Sequence, residues 1–190
     1  LMIRSVQKLT AIDPGFNPEN VLTVQVSPRF EPGKPPADSS RAFIDIVERI
    51  SQAPGVIHAS MISGGIPMGG GMSVTSITVP GRKIENDEGI SIRGVTPEYH
   101  KALRIPLKAG RLFEATDRKD GANVVILNES AARKYFPGEN PVGRSVGLSE
   151  DRTVVGIVGD VHQFSLETEP RAEAYVPIAQ QEAPFGDLAI

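Results

Sequence analysis

The most regular pattern of apolar and polar positions in the chain lies near the end of its first quarter. Apolar residues recur there at helical intervals, at Ala42, Phe43, Ile46, Val47 and Ile50. Upstream, Asp38, Ser39 or Ser40 can cap a helix by accepting hydrogen bonds from its free amides. Downstream, Pro54-Gly55 ends it. The pattern predicts an amphipathic helix with a single apolar stripe.

Segments typical of strands flank this predicted helix. Val21–Ser27 alternates apolar with polar residues and is rich in β-branched side chains, so we expect a strand that is half-buried on one face. Val56–Ile62 is expected to return as a second strand. Strand, helix and strand in this order predict a βαβ unit, whose crossover is right-handed in nearly all proteins.

Short strands and helices alternate irregularly through the rest of the chain. Thr96-Pro97-Glu98 supplies a cap, a first-turn proline and an acid at the positive end of the helix dipole, so a short helix should follow to about Leu103. Asn128 is expected to cap another helix over Glu129–Phe136. Further strands are predicted at Val74–Val79, Ile90–Val95, Val124–Leu127, Thr153–Val158 and Ala174–Ile178, with Leu107–Phe113 as strand or turn. The predicted fold class is α+β, with mixed sheets.

The first twelve residues leave two interpretations open. The apolar residues of Leu1–Ile12 are spaced close to one helical face, and Asp13-Pro14-Gly15 then ends the helix. The segment is either a terminal helix packed on the domain or the tail of a longer helix that begins before Leu1. Periodicity does not choose between them. The leucine at position 1 suggests that the chain was cut from a longer protein.

Composition narrows the functional classes. The 190 residues suffice for one domain, or two small subdomains, with a buried core. A net charge of −3, together with 7 phenylalanines, 3 tyrosines and no tryptophan, argues against nucleic-acid binding. The absence of cysteine excludes disulfide scaffolds, thiolate metal sites and cysteine nucleophiles. No apolar run of about 18 residues is present, so no membrane span is predicted.

A glycine-rich segment, Ser63–Ser73, is the first candidate for chemistry. Gly64 and Gly69 have the spacing of a phosphate-binding loop, but glycines occupy the positions where lysine and a hydroxyl residue are needed. We therefore expect a flexible surface loop and no ATP binding. Met68 and Met72 could make this loop a soft contact surface.

The remaining candidates do not form a recognisable active site. His58, His100 and His162 have no metal-ligand spacing, and three unrelated surface or edge histidines are the favoured interpretation. Asp160 follows a strand and is expected to form a turn, although a catalytic pair with His162 is an alternative. The acidic cluster Glu85, Asp87 and Glu88 is interpreted as a solvated turn. We predict no catalytic residue, no cofactor and no metal site.

A resemblance to a known family rests on an ordered set of short segments. They are Asp13–Phe16, Val21–Val26, Ala53–Val56, Ile66–Met68, Val95–Tyr99, Ile105–Leu107, Gly110–Phe113, Val125–Glu129, Tyr135–Pro137, Asn140–Gly143, Val155–Val161 and Tyr175–Pro177. Each is weak alone, but the set covers nearly the whole chain in order. The sequence resembles the extracytoplasmic domain of MacB-type ABC transporter permeases, the group that also contains lipoprotein-release and FtsX-like permeases.

The resemblance implies a division of the chain. Residues 1–16 would be a juxtamembrane stalk helix and turn. Residues 17–89 and 170–190 would form a βαβ-containing porter-like subdomain, interrupted by a small mixed α/β, Sabre-like subdomain at 90–169. Domains of this family normally continue to a second βαβ unit, so we expect the natural domain to extend past Ile190.

The resemblance also implies a mechanical function without an active site. ATP binding by a separate cytoplasmic ATPase would close a permease dimer, and this domain, on the periplasmic side of the bacterial inner membrane, would move substrate onward in efflux or export. A periplasmic adaptor could dock, and the candidate contact residues are Gly64, Gly65, Ile66, Pro67, Met68 and Met72. The alternatives are a ligand-binding or sensor module of another membrane protein, which needs a defined pocket, and an enzyme that uses Asp160 and His162.

Overall fold

The strands of the described residues form one mixed sheet with ten members. The computed structural model describes residues 12–27, 39–69, 71, 73–84, 89–181 and 185–190. The strands are β1 Thr23–Val26, β2 Ser60–Ile62, β3 Val74–Thr75, β4 Ile90–Val95, β5 Leu107–Gly110, β6 Val124–Asn128, β7 Ser145–Gly147, β8 Asp151–Val158, β9 Glu173–Pro177 and β10 Gly186–Ala189. The helices are α1 Ser39–Ser51, α2 Tyr99–Ala102 and α3 Glu129–Tyr135, and a 3-10 turn spans Ile178–Gln180.

The sheet order is β1-β10-β2-β4-β9-β6-β8-β5, with β3 beside β4 and β7 beside β8. The pairs β4/β9 and β6/β8 are parallel, and the other pairs are antiparallel. Both β1 and β2 run antiparallel to β10, which lies between them. The predicted βαβ unit is therefore split, because the last strand of the chain is inserted between its two strands.

Helix α1 agrees with its prediction. Phe43 and Val47 are buried in a cluster with Met61 of β2 and Leu188 of β10. Ala42, predicted to lie on this apolar face, is exposed, whereas Ser40 is buried and its hydroxyl donates to the carbonyl oxygen of Gln181 at 2.8 Å. The apolar stripe of α1 thus covers the end of the sheet formed by β2 and β10.

Several predicted strands differ in extent from the observed ones. The prediction for Val56–Ile62 is too long, because Ile57 is 87% exposed and β2 begins only at Ser60. β1 is at the edge of the sheet and is exposed at three of its four positions, rather than half-buried. Strand Ile90–Val95 is confirmed at both ends, and it is buried along its whole length.

Two further hydrophobic clusters cover the rest of the sheet. One packs Tyr135 and Phe136 of the α3 region against β4, β6, β8 and β9. The other packs Tyr99 and Leu103 of the α2 region against β4, β6 and β9. Among the described residues, no helix has both the length and the apolar character needed to cross a bilayer.

Some predictions fall wholly or partly outside the described residues. These are the helix at Leu1–Ile12 apart from Ile12, the acidic turn at Glu85–Glu88, and Met72, which belongs to the candidate contact loop Ser63–Ser73. The division into 17–89 with 170–190 and 90–169 stays a prediction.

Candidate functional site

The candidate contact loop is anchored to the sheet by an arginine. Arg93, on β4, is 1% exposed, and its Nη1 donates to the carbonyl oxygens of both Gly64 and Gly65, the second at 2.8 Å. The Ile66 amide donates to Asp187 Oδ2 at 3.2 Å. The segment was expected to be a flexible surface loop. The surface position is wrong for Gly65 and Pro67, which are buried, and the flexibility stays a prediction. The carbonyl oxygens of Gly64 and Gly65 face the Arg93 cation, so the backbone polarity at these two glycines is opposite to the polarity that binds phosphate.

Beneath the loop, Arg93 forms a buried ion pair. Its Nε donates to Glu173 Oε1 at 3.1 Å, and both side chains are 1% exposed. The second carboxylate oxygen of Glu173 accepts from the Tyr175 hydroxyl at 2.7 Å and from Gln163 Nε2 at 3.1 Å. Three donors thus serve the Glu173 carboxylate and three acceptor oxygens serve the Arg93 guanidinium. Such bonding is the condition under which a buried pair is tolerated. The network joins β4, β9 and the segment that follows β8.

Burial changes the acidity of the groups in this network. Loss of solvation raises the pKa of the Tyr175 hydroxyl well above its usual value, and the Glu173 charge acts in the same direction. Burial also raises the pKa of Asp187, partly offset by the Ile66 amide that donates to it. Tyr175 therefore stays protonated and remains a hydrogen-bond donor to Glu173.

Two large apolar side chains of the site, on two loops joined by a backbone hydrogen bond, are exposed to solvent. Met68 is 48% exposed at the tip of the candidate loop, and its amide donates to the Gln163 carbonyl oxygen at 2.9 Å. Phe164, the next residue after Gln163, is 41% exposed, and the Arg171 guanidinium lies 5.8 Å from its ring centre. Sequence analysis missed Phe164, because a single aromatic residue in a polar loop carries no local signal.

The six predicted contact residues do not share one environment. Gly65 and Pro67 are buried, and Gly64 and Ile66 are half-buried, with Ile66 packed on the cluster that contains Tyr99. Only Met68 among the described members presents a large apolar side chain to solvent, while Met72 lies outside the described residues. The contact function of the loop stays a prediction.

The three histidines are far from equivalent. His58 Nδ1 lies 2.9 Å from Glu98 Oε2, and both side chains are partly exposed. The surface or edge location predicted for His100 is wrong, because this residue is fully buried between Tyr99 and Tyr175, with ring centres at 5.3 and 4.8 Å. Burial lowers the pKa of His100 to about 3, so its ring is neutral. In the described part of the chain, no cluster of three histidine or acidic side chains could hold a metal.

Asp160 and His162 line one cleft of about 470 Å³, but each has other partners. Asp160 accepts hydrogen bonds from the Ser130 amide and hydroxyl, both at 2.8 Å, and from Arg133 at 2.7 Å. Asp160 therefore lies outside α3 and accepts hydrogen bonds from residues of its first turns. His162 Nδ1 lies 3.0 Å from the Thr168 carbonyl oxygen, which sets its orientation. No hydrogen bond joins the two side chains in the residues that the structure describes.

Comparison of sequences places these features among known proteins. The chain matches the family model described as MacB-like periplasmic core domain over residues 4–188. It is 33% identical over 89 residues to the "Macrolide export ATP-binding/permease protein MacB" of Aggregatibacter actinomycetemcomitans. It is also 33% identical over 76 residues to the "Probable syringafactin export ATP-binding/permease protein SyfD" of Pseudomonas syringae pv. tomato. These matches cover 46% and 39% of this chain but only 14% and 11% of the relatives, so the chain spans a small part of their length.

Solved structures share the fold. The periplasmic region of MacB from Actinobacillus actinomycetemcomitans matches with a TM-score of 0.63 at 19% identity, over 96% of this chain and 78% of that one. The extracellular domain of the noncanonic ABC-type transporter YknZ from Gram-positive bacteria matches with a TM-score of 0.59 at 16% identity, over 90% of this chain and 83% of that one. The common architecture is a mixed α/β domain dominated by its sheet.

Proposed function

The chain belongs to the family of MacB-like periplasmic core domains, and from this membership we propose that it transmits ATP-driven motion within an ABC transporter permease and so moves substrate on the periplasmic side. The observation that carries the proposal is the extent of the family match, which runs from residue 4 to residue 188. The whole described domain, rather than one motif, therefore resembles this part of a transporter.

The architecture supports a mechanical rather than a chemical function. Ten strands of the described residues share one sheet. A buried ion pair joins two of its central strands, and its arginine also binds the candidate contact loop. Asp160 and His162, the residues considered for catalysis, are held by other parts of the chain. A domain that passes on motion needs stiffness of this kind, and it needs no acid–base pair.

In the proposed mechanism, ATP binds to a cytoplasmic ATPase and closes a dimer of permease subunits. The segment that precedes Asp13 continues the first membrane helix as a stalk and carries that movement to the domain. Within the domain, residues 17–89 with 170–190 correspond to the porter-like part and 90–169 to the Sabre-like part. We propose no enzymatic activity for the domain itself.

The relatives suggest the direction of transport. Their names describe export of macrolides and of syringafactin, and we propose export for the protein that contains this chain. The proposed partners are a second permease copy, the ATPase, and a periplasmic adaptor that contacts the loop tip at Met68.

A ligand-binding module is the second candidate, and the cleft of about 470 Å³ is the observation that favours it. Its lining mixes basic and acidic side chains, including the pair of Lys108 Nζ and Glu129 Oε2 at 3.5 Å. Binding pockets for small molecules are usually apolar with a few polar groups that converge. The cleft fits that description poorly, so we favour transmission of motion.

The location of the domain can be tested in the full-length protein in its bacterial membrane. The chain contains no cysteine, so a Met68→Cys variant offers one new thiol at an exposed position. A membrane-impermeant maleimide applied to spheroplasts should label this variant without lysis, whereas the unsubstituted protein gives the background. Labelling that appears only after lysis would place the domain in the cytoplasm and end the proposal.

A further inference from the structure

One short segment after β8 is hydrogen-bonded to two separate parts of the chain. This connecting segment is Val161–Phe164. The His162 amide donates to the Pro14 carbonyl oxygen at 3.0 Å, and the carbonyl oxygen of the next residue, Gln163, accepts from the Met68 amide at 2.9 Å. Two neighbouring residues thus join the start of the described chain to the tip of the candidate contact loop.

The first of these parts is a turn pressed tightly against the connecting segment. We call Asp13–Asn17 the N-terminal turn. Gly15 has a φ of +81°, and its amide donates to Asp13 Oδ1 at 2.9 Å. A Cβ added at Gly15 would overlap the Asp160 carbonyl oxygen and lie 3.0 Å from the Val161 Cα. Glycine therefore provides both the backbone conformation and the close approach at this point.

The N-terminal turn is also fixed on its other side. The Asn17 amide donates to the Leu103 carbonyl oxygen at the end of α2, at 2.9 Å. Phe16 packs on the hydrophobic cluster that contains Leu103 and Val161. A displacement of the turn must therefore move the connecting segment or break several contacts at once.

The connecting segment is firmly held where it meets the loop. Val161 is 1% exposed, and Gln163 is 6% exposed with its Nε2 donating to the buried Glu173 carboxylate. The same carboxylate binds Arg93, which holds Gly64 and Gly65 of the loop. The connecting segment and the loop therefore bind the same buried network. They are also joined directly by the hydrogen bond from the Met68 amide to the Gln163 carbonyl oxygen.

We propose that the connecting segment Val161–Phe164 couples the N-terminal turn to the candidate contact loop. Gly15, His162 and Gln163 are positioning residues in this route. Motion that reaches the turn at Asp13–Asn17 then shifts the exposed Met68 and Phe164 together. The inference rests on the proposed function, since it gives that function a path from the side of the proposed stalk to the surface that would meet a partner.

Amide hydrogen exchange on the 190-residue chain tests the coupling. Gly15→Ala disturbs the turn, and we expect exchange of the Met68 amide to accelerate by about tenfold relative to the Val47 amide of α1. Gly55→Ala is the matched control, because Gly55 also has a positive φ, +86°, yet an added Cβ would meet nothing within 4 Å. This control substitution should leave the ratio of the Met68 and Val47 amide exchange rates unchanged.

A milder pair of variants guards against failure of Gly15→Ala to fold. Asp13→Ala removes the side chain that accepts from the Gly15 amide. Its control is Asn140→Ala, which removes a similar side-chain bond to the Val142 amide in an unrelated turn. We expect Asp13→Ala, and not Asn140→Ala, to raise Met68 exchange relative to Val47 exchange.

The outcomes separate this inference from the proposed function. If Met68 and Val47 respond to the turn variants by the same factor, or Met68 does not respond, the coupling route is wrong even in a working transporter. If Met68 responds selectively but Met68→Cys is labelled only after lysis, the coupling stands and the proposed function falls.

Discussion

Arg93 shows how a single residue can tie a loop to the centre of a sheet. It lies in a strand that is buried along its whole length, and Glu173 is the partner that neutralises it. Sequence analysis did not predict this pair, because the two residues are 80 positions apart and each alone resembles a solvent-facing strand position. Pairing across a sheet depends on topology, which local pattern does not contain.

Replacing Arg93 tests the importance of the pair. Arg93→Met keeps an unbranched side chain but removes the guanidinium, and it leaves the Glu173 charge buried without its partner. Breaking a buried pair in this way typically costs about 3–5 kcal/mol, and we expect a loss of that size in the free energy of unfolding measured with urea.

The matched control is an exposed ion pair on α1. Arg41 Nε lies 3.8 Å from Asp45 Oδ1, with side chains 80% and 52% exposed. Arg41→Met should change the free energy of unfolding by less than about 0.5 kcal/mol. Equal effects of the two substitutions would show that the buried network does not hold the sheet and loop together.

His100 gives a second prediction for a single residue, which concerns the stability of the protein at acidic pH. Burial lowers its pKa to about 3 from about 6.5, so the folded protein holds the neutral ring. Its contribution is complete above about pH 6.5 and is lost as the pH falls toward 3, at up to about 1.4 kcal/mol per pH unit. Unfolding with urea at pH 7 and pH 5 should therefore show a loss of stability of about 2 kcal/mol from this one residue.

The substitution His100→Leu should remove this pH dependence of stability. Neither ring nitrogen of His100 has a hydrogen-bond partner in the described part of the chain, so His100→Leu sacrifices no observed bond. We expect the variant to lose less stability between pH 7 and pH 5 than the unsubstituted protein, by the same 2 kcal/mol or so. An unaltered pH dependence in His100→Leu would mean that the buried ring does not control acid stability.

At the scale of elements, α3 shows what local sequence can predict. Asn128 was expected to cap this helix, and its Oδ1 accepts from the Ala131 amide at 2.9 Å. The same oxygen accepts from the Glu173 amide at 2.9 Å, and Nδ2 donates to the Arg171 carbonyl oxygen at 2.7 Å. The capping role was visible in the sequence, but the attachment of the helix to β9 was not.

Substitutions at Asn128 separate these two roles. Asn128→Ala leaves buried amides without acceptors, and we expect a loss of about 2–4 kcal/mol in the free energy of unfolding. Asn128→Asp keeps the acceptor oxygen but loses the donor to Arg171, so it should lie between Asn128→Ala and the unsubstituted protein. A loss below about 1 kcal/mol for Asn128→Ala would contradict the link between helix and sheet.

Helices and strands with a clear local sequence pattern were predicted. Strands that form only because neighbouring strands pair with them were missed. The apolar stripe of α1 and the β-branched run of β6 carry their own signals. β10 reads Gly-Asp-Leu-Ala, which has no β-branched residue, and it is a strand because β1 and β2 pair with it on either side. β7, with three residues, was missed for the same reason.

At the scale of the whole molecule, long-range pairing decides the architecture. The resemblance indicated the family correctly, and the family match over residues 4–188 confirms it. Neither the insertion of β10 between β1 and β2 nor the buried Arg93–Glu173 pair could be predicted, because both bring together residues that are distant in sequence. The resulting sheet joins the N-terminal turn, the candidate contact loop and the described helices in one framework.

The proposed function requires that this framework moves when ATP acts elsewhere in the transporter. Glu48 is an exposed position of α1, and these 190 residues contain no cysteine. With any cysteines in the rest of the full-length protein replaced, spin labels at Glu48→Cys allow the distance between two permease copies to be measured by pulsed electron paramagnetic resonance. In the full-length protein with its ATPase, we predict that the distance distribution shifts between the nucleotide-free state and the state trapped with ATP and vanadate. A distribution that stays unchanged in a sample that hydrolyses ATP would contradict the claim.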